Sequence, residues 1–225
     1  MMFRLFLVSL LSASLLSAQF APVEDELSDT ESIRYTCISW NMVVRDVFTL
    51  QDGERTDVLM STSRRSAIYR SSEPLVEFFK PGSEGDNPVR VASVRLKPQV
   101  SPYLLVFFPG KKAGTFRILP ISDGTSDFSI GEYKFVNFSN YDVGFELGGE
   151  KVLVKKKSSE VSRPGGQNEY GTMDARYAVR QDDGAWKVGY DGYWPWRGEK
   201  RTLVFLTPDE SNKRDNSVLM KLVTD

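Results

Sequence analysis

The chain has 225 residues, with 29 Lys and Arg against 30 Asp and Glu, no histidine and one cysteine. A formal charge of −1 argues against a dedicated nucleic-acid binder, which carries a basic domain or stripe. The missing imidazole removes the Ser-His-Asp triad, the Cys-His dyad and every His-ligated zinc or iron centre, and a lone cysteine removes thiolate clusters and any internal disulfide. Catalysis would have to come from a carboxylate pair or a Ser-Lys pair, and metal binding from an oxygen-only calcium site. These use common residues, so their presence is no evidence of activity.

Residues 1–18 read as a secretory leader. Met1 to Arg4 give a short positive start, Leu5 to Leu16 an apolar run, and Leu16-Ser17-Ala18 a small-residue exit before Gln19. That run is shorter than the roughly 20 residues needed to span a bilayer, and no later segment reads as a transmembrane segment. The expectation is a secreted or periplasmic protein. Residues 19–32 are acidic and without periodicity, a flexible lead-in.

From Ile33 onward, short runs rich in Val, Ile, Phe and Tyr alternate with turn pairs such as Asp52-Gly53, Pro81-Gly82, Pro109-Gly110, Asp123-Gly124 and Gly148-Gly149. No helical period is sustained. The pattern predicts an all-β protein of two antiparallel immunoglobulin-like β-sandwich modules, residues 33–122 and 123–225. In the first, strands are expected at Ile33 to Ser39, Asp46 to Leu50, Asp57 to Met60, Ala67 to Arg70, Leu75 to Phe79, Val89 to Leu96, Tyr103 to Phe108 and Thr115 to Leu119. Cys37 shares a strand face with Ile33 and Tyr35 and reads as a buried thiol acting as a small hydrophobe. Leu104 to Phe108 is apolar on both faces and therefore central.

Ser122 to Ser129 reads as a short connector that keeps the modules closely packed. Its Asp123-Gly124-Thr125-Ser126-Asp127 is an ordinary turn, since it lacks the oxygen spacing and closing Glu of a helix-loop-helix calcium site. Asn137-Phe138-Ser139 matches a glycosylation sequon inside a strand and is read as a chance match. A two-residue turn at Gly148-Gly149 sets Leu147 against Glu150, Glu146 against Lys151, Phe145 against Val152 and Val143 against Val154. Lys155-Lys156-Lys157 is a solvated strand end. A second hairpin turns either at Asp183-Gly184, with Val179 opposite Val188 and Tyr177 opposite Tyr190, or through a three-residue loop Asp182-Asp183-Gly184 with a bulge. Thr202 to Leu206, apolar on both faces, and Val218 to Val223 close the module.

Gly131 to Ser139 with the Gly-Gly hairpin, and Arg201 to Leu206, resemble a loose group of uncharacterised exported bacterial proteins. The resemblance implies two successive β-sandwich modules behind a leader, and that group has no known activity or binding residues to carry over.

The densest aromatic stretch is Tyr190, Tyr193, Trp194, Trp196 and Arg197. Such residues plug a sandwich core, stack on sugars or anchor protein contacts, and Pro195 places the stretch at an edge or loop. The functional expectation is a non-catalytic, envelope-associated interaction or structural protein without cofactors, with an unknown protein or glycan partner. The alternatives are a carbohydrate-binding module using Tyr193, Trp194 and Trp196, and a carboxylate-based hydrolase.

Overall fold

A computed structural model describes residues 32–82, 87–209 and 216–225. The leader and residues 19–31 lie outside the described residues. The described residues belong to one compact unit.

The first eight strands are β1 (Ile33–Ser39), β2 (Phe48–Gln51), β3 (Glu54–Asp57), β4 (Tyr69–Ser71), β5 (Leu75–Lys80), β6 (Val89–Arg95), β7 (Tyr103–Pro109) and β8 (Phe116–Ser122). They form two four-stranded sheets ordered β4-β1-β7-β8 and β3-β2-β5-β6. The next eight are β9 (Tyr133–Asn137), β10 (Val143–Leu147), β11 (Glu150–Val154), β12 (Ser159–Ser162), β13 (Thr172–Arg180), β14 (Trp186–Pro195), β15 (Thr202–Pro208) and β16 (Val218–Thr224). Their sheets are ordered β12-β9-β15-β16 and β11-β10-β13-β14. The protein is an all-β sandwich, and its second half repeats the first strand for strand.

The repeat extends to details of the backbone. The N–H groups of Ser39 and Trp40 bond to Ser61 O and Phe107 O at 3.0 and 2.8 Å; those of Asn137 and Phe138 bond to Ser158 O and Leu206 O at 2.9 and 2.7 Å. A β-bulge falls between Phe78 and Phe79 in the β5–β6 pair, and another between Tyr177 and Ala178 in β13–β14. The backbone N–H of Asp123 after β8 donates to Pro102 O, and that of Asp225 after β16 to Arg201 O.

Three apolar layers separate the four sheets. Tyr35, Cys37, Leu105 and Phe107 pack inward against Phe78 and Val94, while Phe135, Val204 and Leu206 pack against Phe145 and Val179. The third layer lies between sheets β4-β1-β7-β8 and β12-β9-β15-β16, where Ile38, Leu104 and Val106 meet Val136, Leu203 and Phe205. This stacking is why Leu104–Phe107 and Leu203–Leu206 are apolar on both faces: each strand has a hydrophobic layer on either side.

Several expectations shift. The sheets are not wholly antiparallel, because β1 pairs with β7, and β9 with β15, in parallel. A parallel pair is joined by a long crossover and leaves no turn signature in the sequence. β3 covers Glu54–Asp57 instead of Asp57 to Met60, because the Asp52-Gly53 turn fixes its register even though all four residues are exposed. β12, Ser-Glu-Val-Ser, was not anticipated; it is a polar edge strand on β9. β8 extends through Pro120, tolerated because β8 is an edge. No helix among the described residues is long and apolar enough to cross a membrane.

Candidate functional site

β-Strand alternation divides the aromatic stretch between two faces. Tyr190 and Trp194 point inward: Tyr190 stacks on Tyr177 at 6.4 Å between centroids and Trp194 on Tyr133 at 6.4 Å. Trp194 is only 9% exposed, whereas Tyr193 faces solvent at 63%. Trp196 packs partly against the same core, its backbone N–H donating to Gly171 O, and Arg197 is half-buried near the Tyr133 phenol. The five residues therefore do not share one exposed surface. Pro195 ends edge strand β14 opposite Thr172.

A different face of the same sheet is organised. On the outer side of β11-β10-β13-β14, register places Leu153, Gly144, Ala178 and Val188 in one row across four strands. The neighbouring row is Lys151, Glu146, Arg176 and Asp191, a ladder of alternating charge. Lys151 and Glu146 lie 3.9 Å apart, and Arg176 and Asp191 2.7 Å. One step beyond the apolar row, Arg180 pairs with Asp142 at 3.7 Å. Tyr193 sits on the far side of the ladder, opposite Asp174.

Trp186 occupies this face from the start of β14. A Cβ on Gly144 would stand 3.5 Å from Trp186 Cζ3 and 3.8 Å from Cη2. Gly144 belongs to β10 and Trp186 to β14, with β13 and its Ala178 between them. The indole thus reaches across β13 towards Gly144 and remains 48% exposed. The equivalent positions in the first half are Phe48 and Phe79, stacked at 6.1 Å with the Arg55 guanidinium 4.2 Å over Phe48. There the side chains fill the space themselves; in the second half Gly144 and Ala178 leave a shelf.

No protein-family model matches this chain, and no curated protein does.

Other polar groups are committed to the structure. Asp123, 5% exposed, receives a bidentate pair from Arg65 at 2.9 and 3.0 Å and lies 3.7 Å from Arg201. Both arginines also pair with Asp225. The two aspartates occupy equivalent places in the two halves, so this network joins them at the edge of the central layer. The expected ordinary turn at Asp123 is thus also a structural ion centre, invisible to a local motif because Arg65 and Arg201 are remote in sequence. Lys134 donates to Ser122 O at 2.6 Å, and burial pulls its pKa down.

Cys37 is free and fully buried, and burial pushes its thiol up. Asn137 Nδ2 donates to Tyr141 O, Val154 O and Lys155 O, which leaves no place for a glycan on that amide. Lys155, Lys156 and Lys157 are exposed at the end of β11. Among the described residues no three His, Cys, Asp or Glu gather as metal ligands.

Proposed function

We propose that this is an exported, non-catalytic binding protein of the cell envelope, acting through the outer face of its β11-β10-β13-β14 sheet. The observation that carries this reading is that face itself: an exposed indole on a shelf of small residues, flanked by a row of alternating charges. Elsewhere the buried carboxylate Asp123 is held by two guanidiniums and the lone thiol is enclosed, so neither is poised as a nucleophile or proton carrier. The leader read at residues 1–18 supports export, and the tightly layered body supports action by surface contact.

The test has two parts. Native protein should carry an N-terminus near Gln19 and fractionate with the envelope; recovery with Met1 from washed cytoplasm would overturn export. Purified protein should show no turnover in a broad screen of glycosides, esters and peptides, and reproducible turnover would overturn the non-catalytic reading in favour of a hydrolase.

A further inference from the structure

Resting on the binding reading above, we infer that the Trp186 shelf is a carbohydrate-binding platform for a neutral oligosaccharide. The indole extends over the sheet as far as Gly144, two strands away, and is half-exposed, so it offers apolar aromatic surface of the kind that packs on a pyranose ring. Strands lie about 4.8 Å apart, so the row Leu153, Gly144, Ala178, Val188 runs roughly 14 Å across the sheet, the length of a short oligosaccharide.

The adjoining ladder supplies the polar half of such a site. Glu146 and Asp191 are acceptors, Lys151 and Arg176 donors, and they alternate at the spacing of the strands. Sugar hydroxyls donate and accept, so a ladder of both kinds satisfies them without demanding a charged ligand. Beyond it, Tyr193 offers a second exposed ring, 63% open to solvent. Ala178 and Asp174 mark the rows of Trp186's shelf and Tyr193, about 14 Å apart along β13. A glycan crossing the charged row would touch both rings.

Charge balance decides the ligand class. Lys151 is matched by Glu146, Arg176 by Asp191 and Arg180 by Asp142, and Asp174 opposite Tyr193 adds a negative charge, so the face presents no positive field to attract a polyanion. The first half shows that the shelf is particular to this sheet, since its own Phe48 and Phe79 close the equivalent space.

The experiment is affinity electrophoresis of the full mature chain in gels containing hydroxyethylcellulose, xyloglucan, glucomannan, β-1,3-glucan or dextran, with alginate and polygalacturonate as anionic counterparts. At least one neutral polymer should retard the protein, Trp186→Ala should weaken that retardation about tenfold or more, and Tyr193→Ala should weaken it by a smaller factor. Circular dichroism of each variant checks that it is folded, and Glu146→Gln, which leaves the shelf intact, provides a second probe of the same face that should also weaken binding. Retardation by no neutral polymer, retardation only by the anionic ones, or retardation unchanged in folded Trp186→Ala would each overturn the proposal. None of those results bears on the non-catalytic reading, which falls only to turnover.

Discussion

In the first half the chain reverses between β2 and β3 through Asp52-Gly53; in the second it reverses between β10 and β11 through Gly148-Gly149. All four residues have positive φ, 51° and 83° in one turn and 56° and 88° in the other, as a two-residue hairpin of the primed type requires. The halves then diverge in what surrounds the turn. Segment 164–166 packs back over Gly148, placing the backbone of Gly165 and Gly166 3.1 Å from where a Cβ would be, whereas its first-half counterpart Asp52 is exposed; the second turn residues, Gly53 and Gly149, both have open space. β10 pairs with β13 over five residues, but β2 registers with β5 only at Phe48 and Phe79. One topology tolerates quite different side chains because the repeated hydrogen bonds and bulge are backbone features, and the side chains need only fill the three layers between sheets.

The equivalent aspartates give the strongest way to break this symmetry. Asp123 is 5% exposed and Asp225 36%, yet both pair with Arg65 and Arg201. Removing the buried member leaves two largely buried guanidiniums short of their main counter-charge. Asp123→Ala should therefore cost about 3–5 kcal/mol, read as a lower urea midpoint at unchanged slope. Asp225→Asn, on the exposed side, should cost about 1 kcal/mol or less. Equal losses would mean that the two halves share the network evenly and that burial is not what distinguishes them.

The turns provide a milder contrast. Gly148→Asp imports the residue that the first half uses, but its Cβ meets the Gly165-Gly166 backbone, so it should destabilise by about 1–3 kcal/mol. The reciprocal Asp52→Gly should change stability by within about 0.5 kcal/mol. The pair of thermal midpoints tests whether the close backbone approach, and not φ alone, selects glycine at Gly148.

The Gly148-Gly149 hairpin could be read residue by residue in the sequence, because a glycine pair flanked by alternating residues leaves one register: Leu147 on Glu150 through Val143 on Val154. In the second hairpin each of the two registers holds over part of its length. The loop is the three-residue Asp182-Asp183-Gly184, closed by Gln181 N to Ala185 O, which sets Val179 opposite Lys187. The bulge near Gly189 then restores Tyr177 opposite Tyr190. Side chains carry no local mark of such a compensating bulge. The four-sheet stack was only half visible. Runs such as Leu104 to Phe107 announce burial on both faces but not what covers the second face.

The repeat is not legible in the sequence because it is carried by backbone pairing, with few side chains in common, such as Tyr35 with Tyr133 and Pro109 with Pro208. The shelf was hidden for a related reason. Contiguous aromatics mark Tyr190–Arg197 in the sequence, while Gly144, Ala178 and Trp186 come together only when β10, β13 and β14 pair. A glycine facing outward in a strand with an otherwise sound pattern was the one signal available.

The smallest contrast is chemical. Cys37 on β1 corresponds to Phe135 on β9, so only the first half has an ionisable group at that core position. Burial raises the Cys37 pKa above its ordinary value of 9.0. The folded protein therefore keeps a proton that the unfolded chain releases as pH passes that value. Stability from this group is fully present below about pH 9 and declines as pH rises above it, by about 1.4 kcal/mol per pH unit while the folded thiol stays protonated. Tyr35 and Tyr133, also raised by burial, add the same trend only above their ordinary value of 10.0. Between pH 9 and 10 the thiol should thus dominate the core's contribution to alkaline loss. Cys37→Ala lowers stability at pH 7 by opening a small void, but it should flatten the decline over that interval by about 1 kcal/mol. Urea unfolding of both proteins at pH 7, 9 and 10 measures it, and parallel curves would show that the thiol ionises as readily folded as unfolded.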